Sequence, residues 1–253
     1  MLQEFLPATL FALVLVFVRT GAAMMQLPGI ADSFVMTRVR LIFALATTVA
    51  IAPVVQPELP GEPTKVSVLF LLIAGELFIG FFLGAVAKVM MAALAVAGTI
   101  ASHMAHLANA HVQSPLADQQ ASILGSFLSV TATVLMFATG LHEMLFMAIL
   151  DSYKLFPPGE LPPIGDFSQQ MARIVSKSFI LGGQLAAPFL AVGLLVYLLM
   201  GILGRLMPQV QIFLVALPLQ IIGGLGILLL AFPAIMAWFL GNFEEAFRPF
   251  TQT

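Results

Sequence analysis

An all-α fold embedded in a membrane is what this sequence predicts, and three observations carry the prediction. Hydrophobic residues make up 60% of the chain and charged residues 9%, where a soluble domain carries about 25% charged residues. Mean hydropathy is +1.07. The apolar residues gather into runs at about 5–18, 41–55, 66–101, 123–150, 178–203 and 210–240, and about 20 residues rising 1.5 Å each cross a bilayer. Six spans are the default expectation. A net charge of −2 offers no basic surface to nucleic acid. The chain has no cysteine, which excludes disulfides, thiol catalysis and cysteine-ligated metal centres.

The first run, FLPATLFALVLVFV, follows MLQE, which carries Glu4 and no Lys or Arg. A signal peptide needs a positive n-region, so this run is expected to stay as a first helix. Two stretches dense in Pro and Gly, IAPVVQPELPGEPT near 51–64 and KLFPPGELPPIGDFS at 154–168, are expected to be loops because neither residue sustains a helix interior. Arg19, Arg38, Arg40, Arg173, Lys177 and Arg205 are scattered between the runs, so the excess of cationic residues on cytoplasmic loops selects no orientation.

Within the third run, GFFLGAVAKVMMAALAVAGTIASHMAHLANA covers 80–110. Gly80 and Gly84 are four apart, and Ala93, Ala97, Ala101 and Ala105 keep the same spacing. Small residues on one helical face let backbones approach closely where no hydrophobic effect drives association. This helix is expected to pack against protein. The fourth run is long and contains His142 and Glu143. The last two runs read as an antiparallel helical pair, with Arg205, Pro208 and Gln209 in a polar turn between them and Pro218 permitting a kink in the second.

Chemistry-bearing motifs are sparse. There is no G-x-x-x-x-G-K-[ST], no H-E-x-x-H and no G-x-S-x-G, so hydrolysis of nucleotides or peptide bonds has no recognisable machinery. The polar stretch SHMAHLANAHVQSPLADQQ supplies His103, His106, His111 and Asp118, residue types that ligate metals. Their spacing alone is weak, and the competing reading is a polar segment that uses its histidines for hydrogen bonding. Glu76, Lys88 and Glu143 lie inside apolar runs, where an ion is costly and marks a polar pathway, a proton relay, an interface or a snorkelling side chain. Glu76 and Lys88 are twelve residues apart, about 18 Å on one helix, so they do not pair within it.

The chain resembles the FliR component of the flagellar type III export gate, whose virulence-secretion counterpart is SctT. The most specific part is RLMPQVQIF with LPLQ downstream, contributing Arg205, Pro208, Gln209, Phe213 and Pro218, and RTGAAMMQLPG from Arg19 to Gly29 supports it. Gln211 departs mildly from the Asn or small polar residue expected before Ile212. The resemblance implies a structural gate subunit, not an enzyme, with no cofactor, in the bacterial inner membrane. It implies kinked helical hairpins, with 1–177 similar to a FliP-like part and 178–253 to a FliQ-like hairpin. The implied partners are FliP-like and FliQ-like subunits in a right-handed helical assembly, FlhB-like and FlhA-like components, membrane lipid and unfolded export substrates. It also implies a pore plug at about 106–119, formed by His106, Leu107, Asn109, His111, Val112, Gln113, Ser114 and Pro115. The rival from another class is a stand-alone secondary transporter or channel that uses Glu76, Lys88 and Glu143.

Overall fold

The computed structural model describes residues 2–61, 63, 65–107, 122–160, 164–206 and 212–251. The plug residues Asn109, His111, Val112, Gln113, Ser114 and Pro115, and the turn residues Pro208 and Gln209, lie outside them. The described residues form seven α-helices: α1 Leu2–Met24, α2 Thr37–Val55, α3 Val66–Met104, α4 Ile123–Ala138, α5 Leu141–Leu155, α6 Ile164–Leu206 and α7 Ile212–Phe247. Single 3-10 turns follow α2 at Gln56–Glu58 and α7 at Arg248–Phe250. No strand occurs among the described residues, and the chain is an all-α membrane protein.

Among the described residues four stretches are long and apolar enough to cross a membrane: Thr37–Glu58, Val66–Met104, Gly165–Leu206 and Ala216–Phe250. The expectation of six simple spans is therefore corrected. α4 and α5 divide the fourth run and meet at 77°, so that together they make one broken span or a re-entrant loop. The break has a local cause. Gly140 adopts φ +79°, a left-handed conformation that most side chains resist, and its N–H turns back to Phe137 O.

The two expected loops are shorter than their composition suggested. α2 continues through Pro53 to Val55, because a proline close to a helix end removes one backbone hydrogen bond and leaves few turns beyond it to disrupt. α6 already begins at Ile164, with Asp166 in its first turn. Pro162 and Pro163 directly precede it, where proline favours a helix start, and the acidic side chain complements the N-terminal dipole. α3 is continuous over 39 residues despite Glu76 and Lys88, and α7 is continuous through Pro218 and Pro233.

The chain forms two compact units. The first comprises Met1–Val89, Met136–Ile174 and Phe243–Thr253. Its core contains Leu15, Val16, Ile79, Leu83 and Tyr153, with a ring cluster in which Phe167 lies 4.5 Å from Phe82 and 4.8 Å from Phe156. The second comprises Met90–Leu135 and Val175–Asn242. There Ala93, Ala97, Ala101 and Ala105 are all buried, as the small-residue spacing predicts. A Cβ on Gly98 would land on the backbone of Gly125, and one on Gly182 would sit 3.0 Å from Ala93 O. These helices touch backbone to backbone, the geometry that small residues permit. Leu229 and Leu230 are 77% and 84% exposed, consistent with a chain whose outer surface faces lipid or protein.

Candidate functional site

Two constellations stand out, one in each unit. The first forms around Arg19, near the C-terminal end of α1. Its side chain is fully buried, and Glu76 of α3 is 2% exposed. Arg19 Nε donates to Glu76 Oε2 at 2.6 Å and a terminal nitrogen donates to Oε1 at 2.8 Å. This two-pronged match suits the planar guanidinium. The remaining hydrogens go to α5 and its exit, with bonds to Ser152 O at 3.0 Å, Ser152 Oγ at 3.2 Å and Phe156 O at 3.0 Å. All five donors of the guanidinium are used. Its carbon lies 4.0 Å from the centre of the Tyr153 ring, a cation–π distance. The Tyr153 hydroxyl is buried without a hydrogen-bond partner among the described residues.

The surrounding backbone makes this arrangement possible. A Cβ on Gly80, one turn beyond Glu76, would collide with Arg19 O, and a Cβ on Gly84 would sit 2.7 Å from Ala23 O. α1 and α3 therefore approach closely enough for a doubly bonded ion pair. On another side of α1, Thr20 Oγ1 and Thr48 Oγ1 of α2 share a hydrogen bond of 2.8 Å. Residues 19 and 20 thus tie α1 to α2, α3 and α5. A buried ion pair is weak evidence of net stabilisation, because desolvation opposes the Coulomb attraction, but loss of one partner costs about 3–5 kcal/mol.

The intramembrane charges are not gathered into one site. Glu76 is bound to Arg19 within the same chain. Lys88 is exposed on α3 and Glu143 is exposed in the first turn of α5, and no hydrogen bond or ion pair joins the three among the described residues. The sequence marked Glu76 but not its partner. Arg19 appeared only as a flanking charge and as part of RTGAAMMQLPG, and the two residues are 57 positions apart.

The second constellation lies at the root of the polar stretch. α3 ends at Met104; Ala105 N–H still donates to Ala101 O, and His106 N–H donates to His103 O. His106 then takes φ +55°, the left-handed conformation that commonly ends helices, where Gly or Asn is usual and another residue meets a cost of about 1–2 kcal/mol. His106 Nε2 and Tyr197 Oη of α6 share a hydrogen bond of 3.2 Å. Leu107 is half-buried, and His103 is exposed. Where description resumes, Ser122 Oγ accepts the N–H of Gly125 at 2.9 Å, an N-cap for α4.

Arg205 is exposed in the last turn of α6, and Phe213 falls in the first turn of α7. Among the described residues no group of three or more His, Asp or Glu side chains is placed to hold a metal; His111 and Asp118 lie outside them.

Comparison with known proteins matches residues 10–246 to the family described as bacterial export proteins, family 1. The flagellar biosynthetic protein FliR of Caulobacter vibrioides is 36% identical over 237 residues, 94% of each chain. FliR of Aquifex aeolicus is 27% identical, covering 95% of this chain and 93% of the relative. The Yop proteins translocation protein T of Yersinia pestis is 26% identical, covering 87% and 85%. A family match across nearly the whole chain, together with relatives aligned almost end to end, leads to one assignment: the chain belongs to the FliR/SctT family, family 1 of the bacterial export proteins.

Proposed function

We propose that the chain is a structural subunit of a type III protein export gate in the bacterial inner membrane, forming part of the channel through which unfolded proteins leave. The observation that carries this reading is the end-to-end similarity to flagellar biosynthetic proteins named FliR and to a Yop translocation protein. In this reading residues 1–177 are a FliP-like part and 178–253 a FliQ-like hairpin. Its partners are FliP-like and FliQ-like subunits, with FlhB-like and FlhA-like components beside them, and Arg205, Pro208, Gln209 and Phe213 form the hairpin turn and a partner contact.

The segment 106–119 acts as a plug. Support comes from the helix that delivers it, which is lined with buried small residues and so enters a crowded protein interior. A polar segment with few large apolar anchors is cheap to reorder, so closed and open forms differ by a few kcal/mol. The described base of the segment is held by packing and by the His106–Tyr197 contact. Glu76 serves in this reading to hold the chain's own helices together with Arg19, and Lys88 and Glu143 face partner chains or lipid headgroups.

Deleting residues 107–116 tests the plug directly. With the gate expressed, cells carrying the deletion are expected to admit ions and small dyes, and an intact barrier would count against the plug. Size-exclusion chromatography in detergent tests the subunit reading separately. Co-elution with partner subunits is expected, and a stable, solute-transporting lone monomer would favour a stand-alone transporter instead.

A further inference from the structure

Two local costs meet in the last turn of α3. His106 is in a left-handed conformation, and the hydroxyl of Ser102 is buried without a hydrogen-bond partner among the described residues. Strain of this kind persists only where surrounding structure over-determines it. Here the surroundings are the α6–α7 pair. A Cβ on Gly193 would lie 2.8 Å from Met104 Sδ, and a Cβ on Gly224 would collide with that of Ala105. The absence of side chains at these two glycines lets the end of α3 seat directly on both helices. Met104 and Ala105 also line a crevice with Phe189, Val192, Leu219 and Gln220. Beyond that seat the directional contact is with Tyr197, by the 3.2 Å hydrogen bond and a ring approach of 5.8 Å.

We propose that His106 and Tyr197 form a releasable end-stop for α3, in which the contact with Tyr197 holds His106 left-handed and its loss frees the last turn of α3 from the hairpin. The packing around Met104 and Ala105 is apolar and shape-dependent, whereas this contact is a single hydrogen bond between two side chains that are not deeply buried. Among the described residues it is an exposed, single hydrogen bond at the point where α3 stops. Its position directly ahead of the polar segment gives it a consequence for transport, and that consequence alone rests on the plug reading.

The test uses hydrogen exchange in the full chain assembled with its partner subunits, read from peptides covering 101–106. Tyr197→Phe keeps the ring and removes the hydroxyl. It is expected to raise exchange at Ala105 and His106 about fivefold, the effect of losing one ordinary hydrogen bond; unchanged exchange overturns the end-stop. Because the chain has no cysteine, Met104→Cys with Gly193→Cys supplies a clean second arm. A Cβ at Gly193 would be 3.1 Å from Met104 Cβ, within a few tenths of an ångström of disulfide range. Once oxidised, that pair is expected to abolish the effect of Tyr197→Phe, and a persistent rise would show that the turn is not released from the hairpin. Dye leakage is measured in parallel. Faster exchange without leakage would leave the end-stop standing and remove support from the plug, while unchanged exchange sinks the end-stop whatever the leakage.

Discussion

Replacing Glu76 with Gln removes one negative charge from the buried node and leaves nearly the same shape. Arg19 keeps its bonds to Ser152 and Phe156 but loses the carboxylate at 2.6 and 2.8 Å, so a guanidinium with no exposed surface becomes an uncompensated buried cation. The cost is about 3–5 kcal/mol. On the scale of folded domains of 150–250 residues, where 1 kcal/mol shifts the midpoint by about 2–4 °C, this corresponds to a fall of roughly 6–20 °C. The assay is heating of the detergent-solubilised subunit with its partners, followed by size-exclusion chromatography of what remains folded. The double variant Arg19→Met with Glu76→Leu removes both charges and should recover most of that loss, since apolar replacement of a whole buried pair is often neutral. Two results would refute the reasoning: Glu76→Gln melting with the parent, or the double variant melting below Glu76→Gln.

Other expectations follow from the same contacts. Gly80→Val should separate α1 from α3, because even a Cβ there meets Arg19 O; overpacking costs about 1–3 kcal/mol, and the same melt reads it. Gly140→Ala faces open space but φ +79°, so a cost of about 1–2 kcal/mol should appear as lower thermal stability, with Gly140→Asn milder because Asn tolerates this conformation better. Thr48→Val removes the hydroxyl that meets Thr20 at 2.8 Å and should cost about 1 kcal/mol, visible as a melting shift of a few degrees at most.

The parts of the fold legible in the sequence were those written locally. Composition and run length identify a helical membrane chain, and four-residue spacing of Ala93, Ala97, Ala101 and Ala105 identifies a buried face. Hydropathy averages residues and carries no backbone angle, so 123–150 read as one run although Gly140 turns it by 77°. The proline-rich composition of 154–168 argues for a loop, yet a proline breaks only what precedes it, and α6 starts directly after Pro162 and Pro163. At the sites, Glu76 stood out because a carboxylate amid Leu, Ile and Phe needs an explanation. Its partner did not, since no local periodicity relates residues 57 apart. Tyr197 was hidden similarly, one aromatic in a leucine-rich stretch whose neighbour in space, His106, is 91 positions away.

The same separation orders events in time. Arg19 is made 57 residues before Glu76 and 133 before Ser152. At about 5–20 residues per second, Arg19 waits roughly 3–11 s for its carboxylate and roughly 7–27 s for the end of α5. Throughout that interval Arg19, near the C-terminal end of α1, is a cation without its carboxylate, and a long cationic side chain near a helix end can reach the interface. The Arg19 node therefore cannot close as α1 emerges. The contact is completed only once α3 and then the end of α5 have been synthesised, so a buried node of α1 depends on residues from well beyond it in the chain.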